Sequence, residues 1–458
     1  REVQKKRRRW QVPTNDRPTR GTGLVVMDPQ LAAILCMVSM LVIFLTGVPV
    51  AFALGFSTLV FGVLAFGPMA LQKMAMSTFS YFYSYNWTPL PLFVMMACII
   101  SETPMGAQVY KVARNWVGGV PGALVSASIL GEAALAGTVG VSGAAIVAVG
   151  KVAEPELIRY GYNRNLALGG LTVGGVLGPL IPPSTPMVIY GVMASVSVGH
   201  LFIAGLLPGI LLAVMLAAVP IVLCWHNPKL GPAAESVSWR ERILSLRYVW
   251  HVALVMVSII GSIFFGIATP TEAAGVGTVV ILIIAVAVFR LSWRSFYRAI
   301  VEAAVINTMM LLIIVGAAFF SYLLASAGVG DFLGDLVTSL NLTPLVVLIA
   351  IIVLYLVLGC FLDSISITVL TIPIFAPLLE SLGVDLVWFG VLYVVTLEIG
   401  LLTPPMGVNL FFMRNTFNIK MTDLLKGAAP FLVVAVVFLI VILLVPQISL
   451  WLPHLMSD

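Results

Sequence analysis

Two proline doublets are the residues whose type and spacing most invite chemistry. Pro182-Pro183 lies in Gly178-Pro179-Leu180-Ile181-Pro182-Pro183-Ser184-Thr185-Pro186, and Pro404-Pro405 in Gly400-Leu401-Leu402-Thr403-Pro404-Pro405-Met406-Gly407, both inside apolar runs. Proline has no N–H to donate and pushes the preceding residue out of the helical region, so each doublet predicts a helix broken at membrane depth. Carbonyls freed at a break can coordinate a small hard cation. The N-terminus of the following half-helix presents N–H groups and a positive dipole end to an anion. At the first break the candidate carbonyl donors are Gly178, Ile181 and Pro183, joined by the Ser142 hydroxyl; at the second they are Gly400, Thr403 and Met406, joined by Ser364 and Asp363. Either serine could instead bond back to a carbonyl of its own helix.

Asp363 stands out among the acids, because a carboxylate at membrane depth is costly and tends to mark an ion path or a pair. Val141 occupies the equivalent place in the first half. As Asp363-Ser364 it could equally cap a helix N-terminus, or do both. Glu272 and Glu398 also lie deep or near a break, and with no partner evident both read as structural. Asn409, which stands where the first half has Met187, is the main candidate to touch substrate, with Thr138 and Thr185 as further candidates of the same kind. Neither the broken helices (166–196 and 386–412) nor the hairpin tips described below contain a Lys or Arg. A substrate carboxylate would therefore be held by N–H groups and hydroxyls.

The surrounding medium follows from composition. Of the 458 residues, 60% are hydrophobic and 9% charged, with a mean hydropathy of +1.10, more apolar surface than a soluble globule of this length can hide. The chain reads as an all-α polytopic membrane protein. The four cysteines stand singly, without the paired spacing of metal or redox motifs, and read as small core residues. The net charge of +5 resides in the first thirty residues, and the remainder is balanced. Residues 1–26 are expected to be a solvated basic tail foreign to the membrane fold: an upstream extension, a linker remnant or a misplaced start ahead of Met27.

Along the chain, apolar spans at 31–46 and 49–66 precede a polar aromatic loop at 72–86 and a span at 89–100. The run 120–150 carries Gly137-Thr138-Val139-Gly140-Val141-Ser142-Gly143 at its middle, and neither half reaches the roughly 20 residues of a full crossing. It predicts a re-entrant hairpin. The broken helix 166–196 and a crossing at 201–225 complete the first half. Spans at 252–267, 273–289 and 305–324, a second hairpin at 345–379 with its tip at Gly359-Cys360-Phe361-Leu362-Asp363-Ser364, the broken helix 386–412 and a final span at 424–452 repeat the order. An offset of about 222 residues aligns the doublets and also pairs Ser142 with Ser364, Gly137 with Gly359 and Pro155 with Pro377. Two inverted repeats are expected, 27–230 and 251–458, joined by a cytoplasmic linker at 231–250; each has five crossings, one of them a broken helix, and one re-entrant hairpin. Counting crossings places every Lys and Arg beyond residue 30 except Lys73 on one face, which marks the cytoplasm.

Four strings carry a family resemblance: Gly174-Gly175-Val176-Leu177-Gly178-Pro179-Leu180-Ile181-Pro182-Pro183-Ser184, Leu201-Phe202-Ile203-Ala204-Gly205-Leu206-Leu207-Pro208-Gly209, Thr269-Pro270-Thr271-Glu272-Ala273-Ala274 and Pro404-Pro405-Met406-Gly407-Val408-Asn409-Leu410. From about residue 27 to the end, the chain resembles the large membrane (permease) subunit of a TRAP (tripartite ATP-independent periplasmic) transporter, DctM-like. The resemblance implies an elevator-type transporter of the bacterial inner membrane that takes up a small organic acid. It also implies a soluble periplasmic substrate-binding protein and a small four-helix membrane subunit as partners, Na+ as the coupling ion and no other cofactor. The candidate cation sites above would then be sodium sites. Members often cluster serines at the first hairpin tip, whereas Ser142 stands here among glycines and alanines. A single-component sodium/carboxylate transporter would share the hairpins without needing the partner subunit. A membrane-embedded enzyme would want an acidic metal motif, a Ser/Lys or Asp/Asp pair, or core histidines, and the four histidines lie at span edges.

Overall fold

The computed structural model describes residues 27–139, 142–404, 407–417 and 419–456, without the side chains of 45, 81, 136–139 and 144. The basic tail, 1–26, lies outside the described residues. Among them the fold is all helical, apart from one isolated β-bridge between Pro121 and Ala233.

Asp28 starts α1 (Pro29–Leu45) by accepting the N–H groups of Gln30 and Leu31. Next come α2 (Val50–Phe66) and α3 (Met69–Phe82). The stretch expected as a loop at 72–86 is thus largely helical. It holds no Gly or Pro, and the buried Met74 side chain seats against Gly62 of α2. Helices α4 (Pro89–Ser101) and α5 (Met105–Val117) form one bent pair, turned by 73° just before Pro104-Met105. Glu102 at this bend pairs with Arg298 at 2.6 Å, and Arg114 of α5 pairs with Glu156.

The first hairpin is α6 (Ala123–Val139) and α7 (Ser142–Arg159). The first broken helix is α8 (Arg164–Gly174), a 3-10 turn over Gly175–Leu177, an irregular segment and α9 (Thr185–Met193). After α10 (Val198–His226), the linker folds as α11 (Trp239–Ser245), started by a reciprocal Ser238–Glu241 capping box. Then follow α12 (Trp250–Phe264), α13 (Pro270–Ala287), α14 (Trp293–Ser326) and α15 (Val329–Ser339). The second hairpin is α16 (Pro344–Gly359) and α17 (Ser364–Ser381), the second broken helix α18 (Leu386–Leu401) and α19 (Val408–Phe417), and the chain closes with α20 (Met421–Leu444) and α21 (Gln447–Leu450).

Five of these helices are long and apolar enough to cross a membrane, or up to seven if each bent pair counts as one span. Large side chains such as Phe52, Phe56, Val305 and Val433 stand outward and exposed, a surface that suits lipid and not water. An offset of about 222 residues relates the end of α5 to that of α15, both ends of α7 to those of α17, and the start of α8 to that of α18. The halves differ where α3 and α4 stand against the single 34-residue α14.

Close backbone approach holds the hairpins and broken helices together. A Cβ on Gly359 would lie 2.7 Å from the Gly400 Cα, so α16 crosses α18 where neither chain has a side chain. A Cβ on Gly427 of α20 would meet the Asn165 carbonyl oxygen of α8 at 1.9 Å. Gly427→Ala should therefore destabilise the folded chain by about 1–3 kcal/mol through overpacking, whereas Gly275→Ala should gain up to about 1 kcal/mol of helix propensity; nothing lies within 4 Å of a Cβ at Gly275 on α13. Thermal unfolding in detergent, followed by tryptophan fluorescence, reads both.

Candidate functional site

At the first break every residue from Gly178 to Tyr190 is buried. Pro182, Pro183 and Pro186 cannot donate to the carbonyls of Gly178, Pro179 and Pro182, four residues earlier, as a continuous helix would require. The protein repairs one of these losses. Ser184 donates its hydroxyl to the Pro179 carbonyl and accepts the Met187 N–H at 3.3 Å, which starts α9. The Pro182-Pro183 peptide is cis. Thr185 is the buried first residue of α9. Helix α10 closes over the break through two glycines: a Cβ on Gly205 would be 2.7 Å from the Leu180 carbonyl oxygen, and one on Gly209 would be 2.6 Å from the Ile181 side chain.

The hydroxyl of Ser142, the first residue of α7, was expected to join the carbonyls of Gly178, Ile181 and Pro183. It donates instead to Glu398 Oε2 on α18, at 3.1 Å. Asn409 Nδ2 on α19 donates to the same oxygen at 3.3 Å. Glu398 is 1% exposed, and its other oxygen, Oε1, has no partner among the described residues. One carboxylate thus joins the first hairpin tip to both sides of the second break. The sequence reading left Glu398 without a partner, because one partner is 256 positions away and the other lies beyond the break. The available signal was a lone acid in an otherwise apolar helix.

At the second break the Gly400 carbonyl is not left bare: it accepts the Thr403 N–H at 2.9 Å. The Thr403 hydroxyl returns to the Ile399 carbonyl at 2.7 Å. Gly407, at φ +54°, donates its N–H to the Cys360 carbonyl at 3.2 Å, tying the break to the second hairpin tip. A Cβ there would lie 3.2 Å from the carbonyl oxygens of both Leu401 and Thr403 and strain the backbone. These carbonyls and that of Cys360 meet around one short loop. Met406 lies outside the described residues, and so does the Thr138 side chain.

Asp363 caps α17, accepting the N–H groups of Ile365 at 3.1 Å and Ser366 at 3.2 Å together with the Ser366 hydroxyl. With Ser366 it lines an open groove of about 720 Å³ along α2 and α14, whose lining does not include Glu398. Ser364 begins α17, and its carbonyl accepts the Thr368 hydroxyl at 2.6 Å; that hydroxyl in turn accepts from Tyr393 at 2.7 Å. No three His, Cys, Asp or Glu side chains cluster among the described residues. An ion at either break would be held by carbonyls, hydroxyls and at most one carboxylate, a donor set suited to hard cations.

The family described as "Tripartite ATP-independent periplasmic transporter, DctM component" matches residues 37–448. The chain belongs to this family. Relatives of the DctM-type chain include the C4-dicarboxylate TRAP transporter large permease protein DctM of Rhodobacter capsulatus, 32% identical over 93% of this chain and 100% of the relative. The sialic acid TRAP transporter large permease SiaM of Vibrio cholerae is 31% identical over 89% and 95%. The ectoine/5-hydroxyectoine large permease UehC of Ruegeria pomeroyi is 29% identical over 80% and 85%. Among solved structures, the Alcanivorax borkumensis YdaH transporter aligns with a TM-score of 0.60 at 14% identity, over 94% of this chain and 100% of that one. Neisseria gonorrhoeae MtrF aligns at 0.56, also at 14% identity, over 94% and 96%. The DctM-type chain is a multi-pass membrane permease. It acts in secondary transport together with a substrate-binding protein and a small membrane subunit.

Because Ser142, Asn409 and Glu398 form one unit, Ser142→Ala and Glu398→Gln should each lower the thermal midpoint. The double variant should fall short of their sum, with a coupling of about 0.5–3 kcal/mol. Additive losses would show that the bond between hairpin and α18 does not form in the membrane.

Proposed function

We propose that this chain is the permease of a sodium-driven system that takes up a small organic acid across the bacterial inner membrane, with substrate delivered by a periplasmic binding protein. The observation that carries the reading is the Glu398 carboxylate, fully buried, bonded on one oxygen to Ser142 and Asn409 and unpartnered on the other. An ionised group in that position calls for a counter-charge. A sodium ion beside Glu398 would supply it, and the second break offers Thr403 and its neighbouring carbonyls for another.

This geometry also gives coupling a physical basis. An organic anion approaching Asn409 or the Thr185 end of α9 meets the negative Glu398 unless a cation has first neutralised it. Sodium binding then precedes substrate binding, and an anion does not cross alone. Names among the relatives include C4-dicarboxylate, sialic acid and isethionate transporters, which supports an acid as substrate. The matched element bounds of the two halves fit inverted repeats, and hairpins packed on broken helices suit a unit that moves against the remaining helices as an elevator.

Reconstituted with a small membrane subunit and a binding protein, the chain should accumulate an organic acid only under an inward sodium gradient. Glu398→Gln should raise the sodium concentration for half-maximal uptake by about tenfold or more, corresponding to at least about 1.4 kcal/mol of lost ion binding. Strong uptake by this chain without a binding protein would contradict the tripartite reading. Sodium dependence unchanged in Glu398→Gln would remove the carboxylate from the ion path.

A further inference from the structure

A second carboxylate in the first hairpin takes no part in the site described above. Glu132 lies in the middle of α6, 0% exposed, and neither of its oxygens has a hydrogen-bond partner among the described residues. It rests in a notch at Gly174 of α8, where a Cβ would come within 1.9 Å of Oε2.

The charged groups of the surrounding helices are engaged or turned away. Arg114 of α5 pairs with Glu156 of α7, and the Lys111 ammonium lies over the Tyr248 ring at 5.5 Å. Of the other charges of α7 and α8, Lys151 lies at the middle of α7 and is exposed, and Glu154, Arg159 and Arg164 lie toward the outer ends, exposed except for the half-buried Glu154. On α10, His200 and His226 stand at the two ends of the helix. His251 of α12 is packed edge-on against Phe289. The remaining titratable groups are neutral hydroxyls and thiols: Tyr110 of α5, whose backbone abuts Gly131, Cys98 of α4 and Cys224 of α10. None of these bonds to Glu132.

We propose that Glu132 is a proton-binding site of the first hairpin, whose carboxyl group holds a proton while the hairpin is packed on α8. An ionised carboxylate buried without a partner is not sustained in such surroundings. A metal ion needs several oxygens around it, and the notch at Gly174 leaves no space for one between Oε2 and the α8 backbone. A proton needs no space. The next residue, Gly175, lies against the other hairpin helix, with the Ser142 carbonyl oxygen 3.1 Å from its Cβ position. The double glycine where α8 passes into its 3-10 turn thus holds the carboxyl through one residue and the hairpin tip through the next. Loss of the proton would drive Glu132 toward water, lift α6 from the notch and draw Ser142 away from Glu398.

Infrared difference spectroscopy of the full chain in lipid nanodiscs tests this without transport or sodium, so its outcome is separate from that of the sodium reading. The wild type should show a protonated-carboxyl stretch at neutral pH that shifts in deuterium oxide and disappears as pH is raised. Glu132→Gln should lose a carboxyl band that Glu398→Gln keeps; a proton on sodium-free Glu398 gives a separate band, lost only in Glu398→Gln. Should Glu132→Gln fail to fold, Gly174→Ala provides the second test, since its methyl group fills the notch and should shift or abolish the band. The thermal midpoint of the wild type should also fall with rising pH, because ionisation favours the unfolded chain, and Glu132→Gln should remove that fall. A wild type without the band at neutral pH, or a band and pH slope unchanged in both Glu132→Gln and Gly174→Ala, would overturn the proposal.

Discussion

Backbone N–H and C=O groups inside a bilayer have no water to bond, so each interruption of a helix there must be answered by the protein itself. The two proline doublets impose that demand at matching places, and much of the surrounding architecture responds to it. Ser184 takes the carbonyl of Pro179, the Thr403 N–H takes that of Gly400, and Gly407 reaches the Cys360 carbonyl at the tip of the second hairpin. Glycines at 205 and 209 on α10 let that helix come down onto the first break, and Gly359 lets α16 come down onto α18 beside the second. Oxygens left over after these repairs are the ones available to an ion. The breaks are thus a structural liability and, in the proposed function, the source of ligands.

Glu398 gives the assembly its asymmetry. The first half has no acid at the matching position, yet its hairpin tip supplies the hydroxyl that bonds this carboxylate, and the second half supplies Asn409 from beyond its own break. A bond between Ser142 and Glu398 makes the hairpin of one half and the broken helix of the other a single packed unit. Such a unit is suited to moving as a whole.

The helix breaks and the paired helices at 123–159 and 344–381 were legible in the sequence because each rests on local chemistry: proline without a donor, glycine at a tip, apolar runs too short to cross. The Asp363 cap was legible for the same reason, since its partners are two and three residues away. Glu398 and Glu132 were not. The role of each depends on what packs against it, a serine 256 positions away in one case and the bare backbone of Gly174 in the other, and neither is coded by spacing. The helix at Met69–Phe82 was missed because its polar and aromatic residues hide a face that packs on α2 and α14.

The central claim is that the broken helices exist to hold cations. Binding of radioactive sodium to the purified, folded chain tests it most directly, with each proline doublet replaced in turn by Ala-Ala. Proline in a helix interior costs about 3 kcal/mol relative to alanine, so the replaced helix can close its hydrogen bonds without loss of fold. The account predicts that replacing Pro404-Pro405 leaves the protein folded and removes the ion proposed at Thr403 and its neighbouring carbonyls, lowering the measured stoichiometry, and that replacing Pro182-Pro183 as well lowers it no less. Undiminished sodium binding after both doublets are replaced would contradict it.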